Sequence, residues 1–262
     1  MKKSKHFAPR IVSLAPNATS ILCDIGARKM LVGVSKWCAE VAPVEALPKF
    51  GDFWHLQEIS GIHAMKPDLV IGSVPFRAEA MAKLLEYPLN FFALHPQTLR
   101  QIERDIRQLG ALSARGFAAD KLIAKMAREF AAVSKRSRGK GRLRVYSEAW
   151  PNPRISSPPW VAELFALAEA GFVPKPGARI SNEEVAEAKP DVILLAWTAT
   201  GRKAKLKSAY DVSLWKDVPA VRNRHVFVVQ DELVNTPGPP LLKGIRELER
   251  IFDKVRQHLD NQ

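Results

Sequence analysis

The chain has little cysteine. Two residues in 262, Cys23 and Cys38, each sit within an apolar stretch, so no disulfide framework is indicated and the redox compartment stays open. It also lacks any apolar run long enough to span a bilayer. The opening Met1-Lys2-Lys3-Ser4-Lys5-His6-Phe7 supplies the positive start of an export signal, but Ala8-Pro9-Arg10 then leads into a strand where the apolar core of a signal would stand. A cytoplasmic protein is expected as the sequence stands, and a periplasmic or cell-surface one if the true start lies upstream. There is no glycine-rich phosphate loop, no nucleophile elbow and no paired-histidine metalloprotease motif, which removes the commonest signatures of phosphoryl-transfer, acyl-transfer and zinc-peptidase chemistry. Acidic residues are short against basic ones, 27 to 40, giving a formal charge of +13. Much of that excess falls in Lys135-Arg136-Ser137-Arg138-Gly139-Lys140-Gly141-Arg142-Leu143-Arg144, with a second cluster at 202–207. The first run has no interleaved aromatics, and Lys and Arg are favoured at a helix C-terminus, so it reads as a solvated helix end and connector; no nucleic acid is expected.

What is present is a statement made twice. Met65-Lys66-Pro67-Asp68-Leu69-Val70-Ile71-Gly72 returns about 120 positions later as Ala188-Lys189-Pro190-Asp191-Val192-Ile193-Leu194-Leu195, each copy preceded by a short helical pattern. Proline ends each helix, because it lacks the backbone donor and biases its predecessor away from helical angles. The apolar run behind Asp reads as a strand buried on both faces, the kind found in parallel sheets covered by helices. With 47% apolar residues the chain can fill two cores. Periodicity predicts strands at 10–14, 31–34, 68–72, 90–94, 143–147, 192–196 and 226–229. Helices are predicted at 57–65, 78–86, 160–170, 182–188 and 239–258, and from Thr19 as N-cap to Gly26 as stop. From 98 to 138 the pattern is helical with little break, divided at Gly110 and Gly116; the second part, about 35 Å long at 1.5 Å per residue, could run from one lobe to the other.

The expected fold class is therefore α/β, with two Rossmann-like lobes of mostly parallel strands joined by one long backbone helix and a ligand cleft between them. The expected boundaries are 1–112 for the first lobe, 113–140 for the linking helix and basic connector, and 141–262 for the second lobe.

Ligands of such sheets meet the loops at the carboxyl ends of the strands. Those loops hold Pro16-Asn17, Trp37-Cys38, Ser73-Val74-Pro75-Phe76, His95-Pro96, Glu148-Ala149-Trp150-Pro151, Trp197-Thr198 and Asp231-Glu232, with Phe53-Trp54-His55 just ahead of the repeat helix. Four of the six tryptophans, Trp37, Trp54, Trp150 and Trp197, fall there. Each offers a flat apolar face and one donor, suited to a large ligand that is partly apolar and partly rich in amides. Trp160 and Trp215, in helical surroundings, read as core. Ser147-Glu148 with His225 is the nearest thing to an acid–base set, though nothing in the spacing requires it, and no catalytic residue is assigned. His55, His63 and His95 in the first lobe and Asp231 in the second are the residues a zinc or manganese site would use, yet no metal-ligand spacing links them, and no metal site is assigned.

Arg10-Ile11-Val12-Ser13-Leu14-Ala15-Pro16-Asn17-Ala18-Thr19, Leu31-Val32-Gly33-Val34-Ser35, Leu47-Pro48-Lys49-Phe50-Gly51, both Lys-Pro-Asp strands and Asn235-Thr236-Pro237-Gly238-Pro239 resemble the substrate-binding proteins of cobalamin and iron-siderophore ABC importers, over about 9–252. Trp54 and Glu148-Ala149-Trp150-Pro151, followed by Ser156-Ser157-Pro158-Pro159-Trp160, are most similar to the cobalamin-binding branch. The resemblance implies a monomeric, non-enzymatic protein that carries a corrinoid, with no covalent cofactor, to a membrane permease and is not itself inserted in the membrane. It implies ligand contact by Trp54, which would stack, by Trp37, and by Trp150, one position from a family aromatic; with Phe53, Trp197 and Asp231 from the loops above, these are the expected ligand-binding residues. It also implies permease docking through Glu183 and, because Ser60 stands at the matching first-lobe position, Glu58. Pro176-Gly177-Ala178 occupies the stretch of a second-lobe family aromatic. Iron-siderophore or haem binding remains an alternative, as does a tetrapyrrole- or metal-handling enzyme on the same scaffold.

Overall fold

The computed structural model describes residues 8–51, 59–198 and 204–261. The chain divides into two compact units, the first comprising 1–96 and 100–124 and the second 97–99 and 125–262.

In the first unit the strands β1 (Ile11–Ser13), β2 (Leu31–Ser35), β3 (Lys49–Phe50), β4 (Leu69–Ser73) and β5 (Phe91–Leu94) form one sheet in the order β3-β2-β1-β4-β5. Every pairing in it is parallel. The helices α1 (Pro16–Asp24), α2 (Ser60–Ala64), α3 (Ala78–Leu85) and α4 (Leu99–Leu112) connect and flank these strands. Val12, Leu14, Ile59, Ile62, Val70, Ala80 and Leu84 form a buried cluster against which Phe50, Met65, Phe76 and Phe91 pack. The helix expected to start at Thr19 begins instead at Pro16, whose ring presets the first helical φ, and it ends ahead of Gly26 at φ +76°. Thr19 lies inside it, and its hydroxyl bonds to groups beyond the helix.

The long helical stretch breaks at Ala114, with φ +53°, rather than at Gly110. Gly110 stays inside α4, where its missing side chain makes room for α5: a Cβ there would sit 2.5 Å from Ala119 Cβ. The second helix, α5 (Gly116–Ser137), begins in the first unit and ends in the second.

The second unit holds β6 (Leu143–Pro151), β7 (Arg154–Ser156), β8 (Ala170–Phe172), β9 (Val192–Leu195) and β10 (Val226–Val228). Their order is β10-β9-β6-β7, with β8 also on β6. All pairings are parallel except the β6–β7 hairpin. Its helices are α6 (Pro159–Leu167), α7 (Asn182–Ala188), α8 (Lys207–Tyr210), α9 (Pro219–Arg222), α10 (Glu232–Asn235) and α11 (Leu241–Asp260). Two expectations are corrected here. The strand from Leu143 does not stop at Ser147 but runs to Pro151, because β7 folds back on it; and Ala170, expected at the end of a helix, starts a strand. Gly244 permits α11 to lie on α10, since a Cβ there would sit 1.8 Å from the Leu233 carbonyl oxygen.

The repeated Lys-Pro-Asp now has a structural meaning. Lys66 and Lys189 take left-handed backbone angles, φ +46° and +44°, so the residue before proline closes its helix by turning left-handed rather than by becoming extended. The following Asp then clamps the neighbouring strand. Asp68 Oδ2 accepts the Arg10 N–H at 2.7 Å and Asp191 Oδ2 accepts the Arg144 N–H at 2.8 Å. In each case the Asp N–H also donates to the same residue's carbonyl, at 2.8 Å. The two copies therefore fix β4 on β1 and β9 on β6 by one device, in two separate sheets.

Two cations of the basic connector are engaged by acidic partners. Arg136 pairs with Glu249 at 2.7 Å and Lys140 with Asp253 at 2.8 Å, both on α11, and Arg246 of that helix pairs with Glu129 of α5 at 2.6 Å.

Candidate functional site

In the first unit the sequence places Ser13 at the carboxyl end of β1 and Ser35 at that of β2, and both are buried. Thr19 Oγ1 lies 2.8 Å from Ser13 Oγ and 3.0 Å from Cys38 Sγ, and Ser35 Oγ lies 3.2 Å from the same sulfur. Burial pushes the Cys38 thiol above its ordinary pKa, so it remains a neutral S–H. This hydroxyl–thiol cluster holds the turn that carries Trp37, which is half-buried with the Lys36 ammonium 4.7 Å from its ring centroid. His95, at the end of β5, is exposed. Phe53, Trp54, His55 and Glu58 lie outside the described residues.

In the second unit the β6–β7 hairpin builds a different arrangement. Glu148 on β6 is fully buried, which is costly for a charge unless it is paired. Its Oε2 accepts from Arg154 on β7 and, at 3.0 Å, from the Tyr146 hydroxyl. Its Oε1 accepts the Trp197 indole N–H at 2.9 Å. Burial, then the charge of Glu148, pushes the Tyr146 hydroxyl far above its ordinary pKa, so it stays a donor. Arg154 reaches further: its Nε donates to Asn182 Oδ1 at 2.6 Å, and its guanidinium lies 4.4 Å from the centroid of the Trp215 ring. Trp215, wholly buried as expected, donates to the Asn182 carbonyl at 3.0 Å.

Trp197 follows β9 and is half-buried. The segment around it is tied from both sides. Ala196 and Thr198 donate backbone bonds to Glu148 O and Ala149 O at 2.9 Å each, and Asn235 Nδ2 donates to Ala196 O at 2.7 Å. The stretch Asn235-Thr236-Pro237-Gly238-Pro239 thus anchors the end of β9 through its first residue. Asp231 directly precedes α10 and is half-buried. Trp150, expected in a loop, is a strand residue 36% exposed, and its indole N–H donates to Asn152 O at 3.0 Å.

The structure does not assemble Ser147, Glu148 and His225 into an acid–base set. Ser147 Oγ pairs with Ser157 Oγ at 2.8 Å, and Glu148 has its three partners. His225 Nδ1 lies 3.1 Å from Asp191 O, ahead of β9, and its Nε2 lies 2.7 Å from His258 Nδ1. Glu148 instead pairs in register with Leu195, at the other end of that strand. Among the described residues no group of three or more His, Cys, Asp and Glu could hold a metal ion, and His63 stacks obliquely on Tyr87 with centroids 5.4 Å apart. No described helix is long and apolar enough to cross a membrane. Glu183, in the first turn of α7, is exposed. Hydrogen bonds from its own backbone and from Ser181 hold its carboxyl below the usual carboxylate range, so it presents a fixed negative charge.

Sequence reasoning missed Arg154 and Asn182 altogether. Arg154 lies in a strand too short to show a period, Asn182 reads only as the first residue of a helix, and their hydrogen-bond partners lie 6 to 33 positions away.

Residues 11–233 match the family model of the periplasmic binding proteins. The chain belongs to that family. Its members bind solutes for transport and do not transform them, so this is a substrate-binding protein of the kind that serves ABC importers and not an enzyme. Among relatives, the vitamin B12-binding protein of Vibrio campbellii is 25% identical over 260 residues, covering 95% of this chain and 91% of the relative. An uncharacterized ABC transporter substrate-binding lipoprotein of Bacillus subtilis is 25% identical over 257 residues, covering 91% of this chain and 78% of the relative. The fold is also that of solved structures. The periplasmic vitamin B12-binding protein of Vibrio cholerae superposes with a TM-score of 0.75 at 22% identity, over 95% of this binding protein and 98% of that chain. A periplasmic heme-binding protein from Roseiflexus sp. RS-1 does so with 0.78 at 23% identity, over 95% and 100%.

Proposed function

We propose that this binding protein captures a corrinoid of the cobalamin type and delivers it to the permease of an ABC importer. Trp37, Phe53, Trp54, Trp150, Trp197 and Asp231 contact the ligand in this reading, with Trp54 stacking on it, and Glu183 and Glu58 meet the permease. The observation that carries the reading is the fixed strand-end tryptophan: Trp197, held at its indole N–H by a buried carboxylate, with Trp150 on the neighbouring strand and Trp37 at a strand end of the other unit. Rigid aromatic faces with few rotatable bonds suit a flat macrocycle edged with amides, because little side-chain entropy is lost when they are covered. Full-length similarity to proteins named for vitamin B12 binding supports the same ligand class. Glu183, ionised and exposed in the first turn of α7, suits a cationic patch on a permease.

Haem is the second reading, favoured by His95. Haem iron takes an axial protein ligand, whereas a corrinoid can bring its own, and His95 stands exposed at the carboxyl end of β5.

Calorimetry with cyanocobalamin and with hemin separates the two. Binding of cyanocobalamin is expected, weakened by about 2 kcal/mol, or roughly thirty-fold, in Trp54→Ala. Cyanocobalamin binding that is unchanged in a folded Trp54→Ala protein removes the stacking contact. Absence of cyanocobalamin binding, with hemin bound and lost in His95→Ala, replaces the corrinoid by haem; a bound ferric siderophore would show in the visible spectrum of protein from its native host.

A further inference from the structure

We propose that Glu148 and Arg154 are positioning residues that couple the ligand face of the second unit to the first turn of α7, so that a load on Trp197 is felt at Glu183. The proposal rests on the reading above in taking Trp197 as a ligand contact and Glu183 as a permease contact. The coupling itself is read from side chains of one unit.

The contacts run without a gap. Trp197 Nε1 donates to Glu148 Oε1 at 2.9 Å, Arg154 donates to Glu148 Oε2, and Arg154 Nε donates to Asn182 Oδ1 at 2.6 Å. Asn182 is the first residue of α7 and Glu183 the second. None of the links is free to slip. Glu148 has no exposed surface, and a buried carboxylate that loses a donor is left with an uncompensated charge, so it follows its partners when they move. The guanidinium of Arg154 is a rigid planar fork, and it serves Glu148 and Asn182 from one plane while lying on Trp215. Trp215 in turn holds the Asn182 carbonyl at 3.0 Å, so Asn182 is gripped through both side chain and main chain.

A structural ion pair for the hairpin alone would need only Glu148 and Arg154. Here each member also bonds outside the hairpin, Glu148 to the residue two past β9 and Arg154 to the residue that opens α7. These two ends, Asn182 and Trp197, are joined through space by two side chains. A two-ended connection of this kind transmits a shift in either direction, which is what coupling between two sites requires.

Trp197→Phe keeps an aromatic ring but deletes the indole N–H, and hydrogen exchange followed by NMR reads the far end. The amides to watch are those of Glu184 and Val185, which donate to Ser181 Oγ at 3.2 Å and Ser181 O at 3.4 Å. In the ligand-free variant their exchange should accelerate about two- to tenfold, the range expected when one hydrogen bond of the network is lost, while amides in the middle of α11 keep their parent rates. Arg154→Lys, which leaves a cation for Glu148 but not the fork that spans to Asn182, should do the same. Saturating cyanocobalamin should slow exchange at Glu184 and Val185 in the parent and not in Trp197→Phe. Equal ligand-free rates at these amides in parent and both variants overturn the coupling, and so does equal acceleration in α7 and α11, which marks a general loss of stability. Cyanocobalamin that binds without any effect on α7 overturns the coupling and leaves the proposed function standing. No binding of cyanocobalamin by the parent removes the ligand, while the ligand-free comparison still decides the coupling.

Discussion

The two units finish their central strands with opposite chemistry. At the carboxyl end of β1 the buried polar groups are neutral: Ser13, Thr19, Ser35 and Cys38 share hydrogen bonds around one thiol. At the corresponding end of β6 they are ionic, with Glu148 and Arg154 at the centre and Tyr146, Trp197 and Asn182 as partners. The sheets beneath share a central strand with parallel neighbours, β7 alone running antiparallel in the second, and both are clamped by the same Lys-Pro-Asp device. The contrast shows what a repeated scaffold leaves free. Strand pairing is set by main-chain bonds, so the side chains towards the strand ends can differ without disturbing the sheet. Neutral hydroxyls can exchange partners at little cost, whereas a buried charge pair tolerates the loss of neither member.

Breaking each cluster at its centre should give the largest difference. Arg154→Met leaves Glu148 buried without its cation and should cost about 3–5 kcal/mol in urea unfolding, while Cys38→Ala in the neutral cluster should cost about 1 kcal/mol. The double variant Glu148→Leu/Arg154→Met should recover most of the loss, since removing both charges removes the penalty of leaving one. Equal losses in the two single variants would erase the distinction between the clusters. A smaller effect tests what the units share. Asp68→Ala and Asp191→Ala each delete a carboxylate that accepts a strand N–H, and each should cost about 1.5–3 kcal/mol, with the two values close together. A large disparity would mean that the two copies do not bear on their sheets alike. The smallest effect concerns the helices before the repeats. α7 carries a capping box, with Ser181 bonded to the Glu184 N–H and Glu184 bonded back to the Ser181 N–H, whereas α2 has no side-chain cap. Ser181→Ala should therefore lower stability by about 1 kcal/mol, as read by thermal unfolding.

Where the chemistry is local, the sequence is a good guide. The α7 helix occupies 182–188 as expected, because Ser181 and Glu184 mark its start and Lys-Pro its end. β4 and β9 lie within a residue of their expected limits, since an unbroken apolar run between Asp and a turn has few other ways to bury itself. The short strands β3, β7 and β8 leave no mark in the pattern: at two or three residues each they show no period, and only the partner strand makes them strands. Thr19 has the residue type of a helix cap, but Pro16 starts the helix earlier and frees the hydroxyl for Cys38. At the candidate site, Trp37 and Trp197 stand at strand ends as their positions indicate, and Asp231 stands just ahead of α10. Trp150 is displaced from a loop into a strand by the hairpin that β7 forms.

The sequence by itself determined two α/β units, their parallel strands and the helix stop at each Lys-Pro-Asp. Each of these follows from apolar periodicity, a proline and a charged neighbour within about ten residues. Only the tertiary structure decided that Glu148 is a buried anchor and not an acid–base residue, and that the Asn235 segment ties down the end of β9. It alone joined Trp197 to the start of α7 through Arg154. Those outcomes depend on groups that are 28 to 49 positions apart in the chain and meet only after the sheet has formed. A side chain's partners there are set by strand order and hairpin register, which no local pattern of residues encodes.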